Sequence, residues 1–374
     1  MSTKRILLVH HDRLLTNLYR EKLEGSGFLV DSSRNFDQVP KIIESKKPDL
    51  VIADLVMPTS SSIDVIKSLR NEPATLELPV LIFPTALANL ASSAMKGGAT
   101  KVISRGIHQV ASVIDAAKIA LGLPGLGESI DAPLFEPDQA WQKIALEGVP
   151  ESLNQMRHCL PGLVAAIPDV LMLQELWTLV HCFAEKAVLL QNKPLTQIAT
   201  AFDLMMCDLN EMPEQLNGST LRTIGQAIDF LGTLCSPEML NRIKDPDNAR
   251  IVVVDDEEGA LQFISAAMEL AGLKNESYQT PTVALEKLNG HKSDLIFLDV
   301  GLPEMTGFDL CARIRNLEVH QKTPIVFLTG MASFQNKALA SLSGGNDFIG
   351  KPFNLPELGV KALIWIFRGQ LDIA

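Results

Sequence analysis

The chain has 374 residues, 47% hydrophobic and 21% charged, a length and composition that suit about two or three soluble globular domains. Its 44 acidic residues outnumber 33 basic ones, for a formal net charge of −11, and only 5% of residues are aromatic. Nucleic-acid binding rests on Lys and Arg neutralising phosphates and on aromatic stacking, so this balance disfavours it.

The first element is a short apolar run, Ile6–Val9, followed by His10, His11 and Asp12. It is too short for a signal peptide. An amphipathic stretch leads to a second apolar run, Leu50-Val-Ile-Ala, which ends in Asp54, with Pro58 four residues on. A third run follows Pro79 and ends in Thr85; Gly97-Gly98 and Arg105 come next. The periodicity of 107–121 predicts a one-sided helix with Val110, Val113, Ile114 and Ala117 inward.

Leu121–Gly127 reads as a linker. The apolar region 160–173 is interrupted by Pro161, Pro168 and Asp169, so it is not expected to span a bilayer. Helical periodicity covers 170–190, 194–209 and 219–234, with Pro194 in a first turn and Ser219-Thr220 as N-cap. Several helices joined by short loops imply a bundle. Lys244–Asn248 forms its exit.

The opening pattern then returns. Ile251–Val254 precedes Asp255, Asp256 and Glu257; Leu295-Ile-Phe-Leu ends in Asp299, with Pro303 four residues on. The run after Pro324 ends in Thr329, and Gly344-Gly345 precedes Lys351. The matched landmarks lie 244 to 246 residues apart. Short apolar runs alternating with helical patterns predict two α/β domains, each a doubly wound parallel sheet of five strands and five helices. The site of such a domain lies at the carboxyl ends of its strands. The last helix, 355–371, contains six consecutive apolar residues, Ala362–Phe367. They encircle it, which predicts docking on the middle segment or on a second chain, with homodimerisation one outcome.

Both copies, about 240 of the 374 residues, resemble receiver domains of two-component response regulators, which have a flavodoxin-like fold. In the second copy the resemblance makes Asp299 the phosphoacceptor, with Thr329 and Lys351 completing the catalytic set and Phe348 the switch aromatic. Clustered carboxylates need a cation among them, and oxygen ligands suit Mg²⁺. The resemblance implies that Asp256, Asp299 and the Gly301 carbonyl bind Mg²⁺ directly and Asp255 through water. It also implies a cis Lys351–Pro352 bond, and the small Gly330 leaves space beside Thr329. Self-catalysed phosphorylation and dephosphorylation of Asp299 would follow.

The first copy keeps Asp54, Pro58 and Thr85 but departs elsewhere. His10 and His11 replace the acidic pair, Arg105-Gly106 replaces Lys-Pro, and Val102 replaces the aromatic. Asp12 aligns with Glu257, one step too late to serve. Imidazoles suit Mg²⁺ poorly. A pseudo-receiver that binds partners is expected, and a softer divalent metal on His10, His11 and Asp54 is the alternative.

In the middle, His181 on the first long helix resembles the site of a histidine phosphotransfer domain. The family's His-x-x-Lys-Gly is missing, since Ala184 and Glu185 take those places and Lys186 lies on another face. A degenerate domain is therefore expected. His158 reads as an ordinary residue, with Pro161 breaking its helix.

The expected organisation is a degenerate receiver (1–122), a phosphotransfer-like helical domain (123–248) and a complete receiver (249–374). Their net charges are +3, −10 and −4, which predicts a surface between the first two. The expected function is a response regulator phosphorylated by a histidine kinase or phosphotransfer protein, with Mg²⁺, that signals to a downstream protein. Phosphotransfer through His181 is the alternative. Five scattered cysteines without a CxxC pattern (Cys159, Cys182, Cys207, Cys235, Cys311) predict reduced thiols in the cytoplasm. No membrane insertion is expected.

Overall fold

The computed structural model describes residues 3–56, 62–85, 88–104, 109–124, 139–164, 169–330 and 343–373. Pro58, Arg105 and residues 125–127 of the linker lie outside them. The chain groups into two compact units, residues 1–148 with 181–191, and residues 149–180 with 192–374.

Each unit holds one parallel five-stranded sheet. In the first, β1 (Arg5–Val9), β2 (Leu29–Ser33), β3 (Leu50–Ala53), β4 (Val80–Thr85) and β5 (Lys101–Ser104) lie in the order β2-β1-β3-β4-β5. In the second, β6 (Ile251–Val254), β7 (Asn275–Tyr278), β8 (Leu295–Asp299), β9 (Ile325–Thr329) and β10 (Asp347–Gly350) lie in the order β10-β9-β8-β6-β7. The two orders are the same, read from opposite edges. Strands β3, β6, β8 and β9 are buried along their whole length. Continuous apolar runs are what a parallel sheet needs when crossover helices cover both of its faces. These are two flavodoxin-like folds, separated in the sequence by a helical region.

The repeat extends to single hydrogen bonds. The amide of Arg5 donates to Asp49 Oδ2, and that of Arg250 to Asp294 Oδ2, both at 2.8 Å. Arg70 Nε and Arg315 Nε donate to the carbonyls of Gly98 and Gly344, both at 2.9 Å. Those glycines have φ of 104° and 91°. A Cβ would come within 2.8 Å and 3.2 Å of the arginine side chains. Glycine is therefore required twice over, for its conformation and for its size.

In the sequence between β5 and β6 the described helices are 139–147, 149–164, 170–189, 193–211, 218–234 and 237–240. The three long expected helices are present. Asn192 and Asn217 cap two of them, the second through a capping box with Thr220, so that helix starts one residue before Ser219. The expectation at Pro161 is corrected, because the helix runs through it from Val149 to Val164. One backbone bond lost in the last turn does not outweigh the buried stripe Met156, Cys159 and Leu163.

In the second unit the last helix, Leu355–Leu371, has 13 of its 17 residues buried. It packs on helices Lys193–Glu211, Gly218–Leu234 and Glu258–Leu270. Gly359 permits the approach to Ala271, where a Cβ would come within 2.8 Å. The apolar girth that suggested a homodimer is covered by the chain's own helices. No described helix is long and apolar enough to cross a membrane.

Candidate functional site

In the second unit β6, β8, β9 and β10 end at the same edge of the sheet. Asp255 follows β6, Asp299 ends β8, and Lys351 follows β10. Lys351 Nζ lies 2.8 Å from Asp255 Oδ2 and 2.7 Å from Asp299 Oδ1. The Asp299 Oδ2 atom accepts from the amide of Gly301 at 2.5 Å, and Asp255 Oδ1 from the amide of Glu257 at 3.0 Å. The amide of Lys351 donates to the Thr329 carbonyl at 2.7 Å. Lys351–Pro352 is cis.

Burial raises the Asp255 pKa, and the Asp299 charge adds to it, against the opposing effect of Lys351. Burial also works against the Lys351 ammonium, but its bonds to Asp255 and Asp299 outweigh this and raise its pKa. Two carboxylates thus share one cation, and Asp256 adds an exposed third. This oxygen-only set with excess negative charge fits Mg²⁺. The buried Thr329 ends β9 beside them. Gly330 has open space where a Cβ would stand.

The corresponding strand ends of the first unit carry different chemistry. His10 and Asp54 are buried, and His11 is slightly accessible. The 181–191 segment brings in His181 and Glu185, also buried. His10 Nε2 lies 3.0 Å from Glu185 Oε2 and 3.8 Å from Asp54 Oδ2. His11 Nδ1 lies 3.6 Å from Asp54 Oδ2, and His181 Nε2 lies 3.5 Å from Asp54 Oδ1. Burial pushes the Asp54 pKa up, but the surrounding imidazoles of His11, His181 and His10 hold it well below the usual carboxylate range. Asp12 caps the following helix and pairs with Lys186 at 2.6 Å.

A receiver-domain model ("Response regulator receiver domain") matches residues 6–115 and again 251–362, more than half of the chain. The chain belongs to the response regulator receiver family. It is 35% identical over 116 residues to the transcriptional regulatory protein YvrH of Bacillus subtilis, across 31% of this chain and 48% of that one. It is 36% identical over 123 residues to the transcriptional regulatory protein TcrA of Mycobacterium tuberculosis, across 33% and 47%. The chain therefore spans about half the length of these curated relatives. Among solved structures, the chemotaxis response regulator CheY4 of Vibrio cholerae is 32% identical, covers 32% of this chain and 98% of its own, and has a TM-score of 0.30.

The two receivers differ in how their sequence-derived candidates meet. In the second, Asp255, Asp299 and Lys351 converge. In the first, Asp54 meets His10 and His11, as well as His181 from far along the chain. In-line phosphoryl transfer needs an acceptor oxygen roughly 3–3.5 Å from phosphorus, itself a bond length beyond the nitrogen. With 3.5 Å between His181 Nε2 and Asp54 Oδ1, no phosphorus fits between them.

Three residues with large roles were not singled out in advance. Arg222 stacks over the Phe348 ring, 3.6 Å from its centroid, and donates to the Phe348 carbonyl at 3.2 Å. Asp347 and Lys361 form a buried pair beside it. The one available signal was a lone lysine inside an apolar helix.

Proposed function

We propose that this protein is a response regulator that takes a phosphoryl group onto Asp299 from a histidine kinase or phosphotransfer protein and signals through a protein contact. The observation that carries this reading is Lys351 bridging Asp255 and Asp299 at 2.8 and 2.7 Å, at the carboxyl ends of a parallel sheet. Asp255, Asp256, Asp299 and the Gly301 carbonyl would hold Mg²⁺, which when bound neutralises charge on the phosphoryl oxygens. An Asp299 carboxylate oxygen attacks phosphorus, the P–O bond forms, the P–N bond breaks, and the histidine nitrogen keeps the electron pair. Lys351 and the Thr329 hydroxyl stabilise the equatorial oxygens by position and charge. Attack by water on the same phosphorus later returns inorganic phosphate and free Asp299.

Phe348 and the last helix carry the change outward. Both touch the middle helices, which supports signalling by rearrangement of that contact. The proposed layout is a degenerate receiver, a helical segment and a working receiver. The acidic net charge and scarce aromatics support a protein partner over nucleic acid.

The test is exposure of the full chain to acetyl phosphate and Mg²⁺, with labelled residues identified by mass spectrometry. A single phosphoryl group on Asp299 is expected, abolished by Asp299→Asn and unaffected by Asp54→Asn or His181→Gln. Undiminished labelling of Asp299→Asn would overturn the assignment.

A further inference from the structure

We propose that the first receiver holds a first-row divalent transition metal, of which Zn²⁺ is the representative, through His11, Asp54, His181 and Glu185. Donor atoms of Asp54, His181 and Glu185 all lie within 4.8 Å of one another, as do those of His10, His11 and Asp54. Asp54 Oδ1 lies 3.5 Å from His181 Nε2 and Asp54 Oδ2 lies 3.6 Å from His11 Nδ1, at the outer limit of a hydrogen bond. Each is close to one edge of a tetrahedron around an ion, the His181 edge at Asp54 Oδ1 and the His11 edge at Asp54 Oδ2. Metal–nitrogen bonds of about 2.0–2.1 Å and metal–oxygen bonds of about 2.0–2.2 Å set neighbouring ligands roughly 3.3–3.5 Å apart.

The hydrogen bonds sort ligands from supports. The Nδ1 atom of His10 accepts from the amide of Asp12 at 3.0 Å. Its proton therefore sits on Nε2, which donates to Glu185 Oε2 at 3.0 Å. His10 is thus a positioning residue that orients Glu185. The other Glu185 oxygen, Oε1, is buried with no hydrogen-bond partner, and so is His11 Nδ1. Buried polar atoms in that state are costly and rare, and an unfilled coordination bond accounts for both. On the far side of its ring, His11 Nε2 meets Cys182 Sγ at 2.8 Å. Glu185 and His11 therefore have the outer support that metal sites use to fix ligand orientation.

The chemistry selects the ion. Two imidazoles and two carboxylates are a borderline nitrogen and oxygen set, suited to Zn²⁺ or Fe²⁺ and ill suited to Mg²⁺. His11, the one partly accessible member with 16% side-chain exposure, marks the entry path. An ion here would occupy the place of an acceptor phosphoryl group and pin the 181–191 segment to the end of β3. It would make the first receiver a metal-locked scaffold.

The experiment is titration of the metal-free full chain with Co²⁺, followed by visible d–d absorption, with Zn²⁺ as competitor. One equivalent is expected to bind, displaceable by Zn²⁺. His181→Gln and Glu185→Gln should each weaken binding more than tenfold, and His10→Gln about tenfold or more through loss of orientation. The titration is made with Mg²⁺ in excess, which fills the Asp299 site and leaves the first receiver as the one Co²⁺ site. Circular dichroism and phosphorylation of Asp299 report whether the variants fold. Two results would each overturn the proposal: no stoichiometric Co²⁺ band in the unsubstituted protein, or a band of full affinity in both His181→Gln and Glu185→Gln.

Discussion

The two receivers carry the same scaffold and opposite sites. Arg5 and Arg250 make the same backbone bond at the foot of the first strand. Arg70 and Arg315 clamp the same glycine turn. At the carboxyl ends of the strands the agreement stops. Lys351 bridges two carboxylates in the second receiver, and imidazoles surround one carboxylate in the first. The fold rests on sheet register, buried apolar runs and turn geometry, none of which uses the site. Strand-end side chains can therefore be exchanged without unfolding the sheet, while chemistry that depends on hard oxygen ligands is lost with them.

The sharpest energetic contrast lies beneath the last helix of each copy. Lys361 is fully buried and pairs with Asp347, which also accepts from Trp365 Nε1 at 3.3 Å. Burial raises the Asp347 pKa, but the Lys361 and Arg222 charges outweigh it and lower it overall. At the matched positions the first receiver has the charges reversed, an exposed Lys101 and a half-buried Asp115. Removing one member of a buried pair strands the other charge. Lys361→Met should therefore cost about 3–5 kcal/mol in the second unit. Asp115→Ala should stay within about 0.5 kcal/mol. Urea unfolding monitored by hydrogen exchange in each unit separates the two. A Lys361→Met cost below ~1 kcal/mol would mean that Arg222 and Trp365 suffice to hold Asp347.

A smaller contrast concerns the switch position. Arg222 lies over Phe348, whereas the first receiver has Val102 there and nothing to stack. A cation–π contact of this kind contributes about 1 kcal/mol. If Phe348 must move as Asp299 is phosphorylated, Arg222→Ala should speed labelling by acetyl phosphate about fivefold, the factor equivalent to ~1 kcal/mol. An unchanged initial rate would show that the ring is not restrained by this stack.

Most of the architecture was legible because a parallel sheet writes itself as short, wholly apolar runs, and because each run recurs at a near-constant offset. The acidic pair, Asp299 and Thr329 were legible for the same reason, as each stands at the end of such a run, and Lys351 by its offset from Arg105 and the glycine pair before it. The polar edge strand β7, Asn-Glu-Ser-Tyr, carries no such signal, since half-exposed edge residues need not be apolar. Glu185 read as a defect in a phosphotransfer motif, because pattern alone cannot show a helix segment meeting β3 more than 120 residues away. Arg222 was equally silent: a surface arginine and a stacked one look alike until the helix docks. Pro161 misled through a sound local rule that a buried stripe overrides.

The smallest expected effect tests how far the shared scaffold is equivalent. Arg250 forks onto both oxygens of Glu276 at 2.9 and 3.0 Å, where Arg5 reaches one oxygen of Asp31 at 2.6 Å. The Arg250 bonds, helped by Tyr278, lower the Glu276 pKa from its usual 4.5 to about 2. A carboxylate whose pKa falls on folding binds its proton more weakly in the folded state. Its contribution is complete above pH 4.5 and is lost as the pH drops towards 2. Glu276 is nearly half exposed, so solvent screening limits that contribution to less than ~1 kcal/mol. Glu276→Gln should therefore destabilise β6 and β7 slightly at pH 6, and the difference should shrink as the pH approaches 3, read as hydrogen-exchange protection of Val252 and Val254. A penalty independent of pH would assign the effect to lost packing of the arginine stem, and the two pairs would then be equivalent in charge after all.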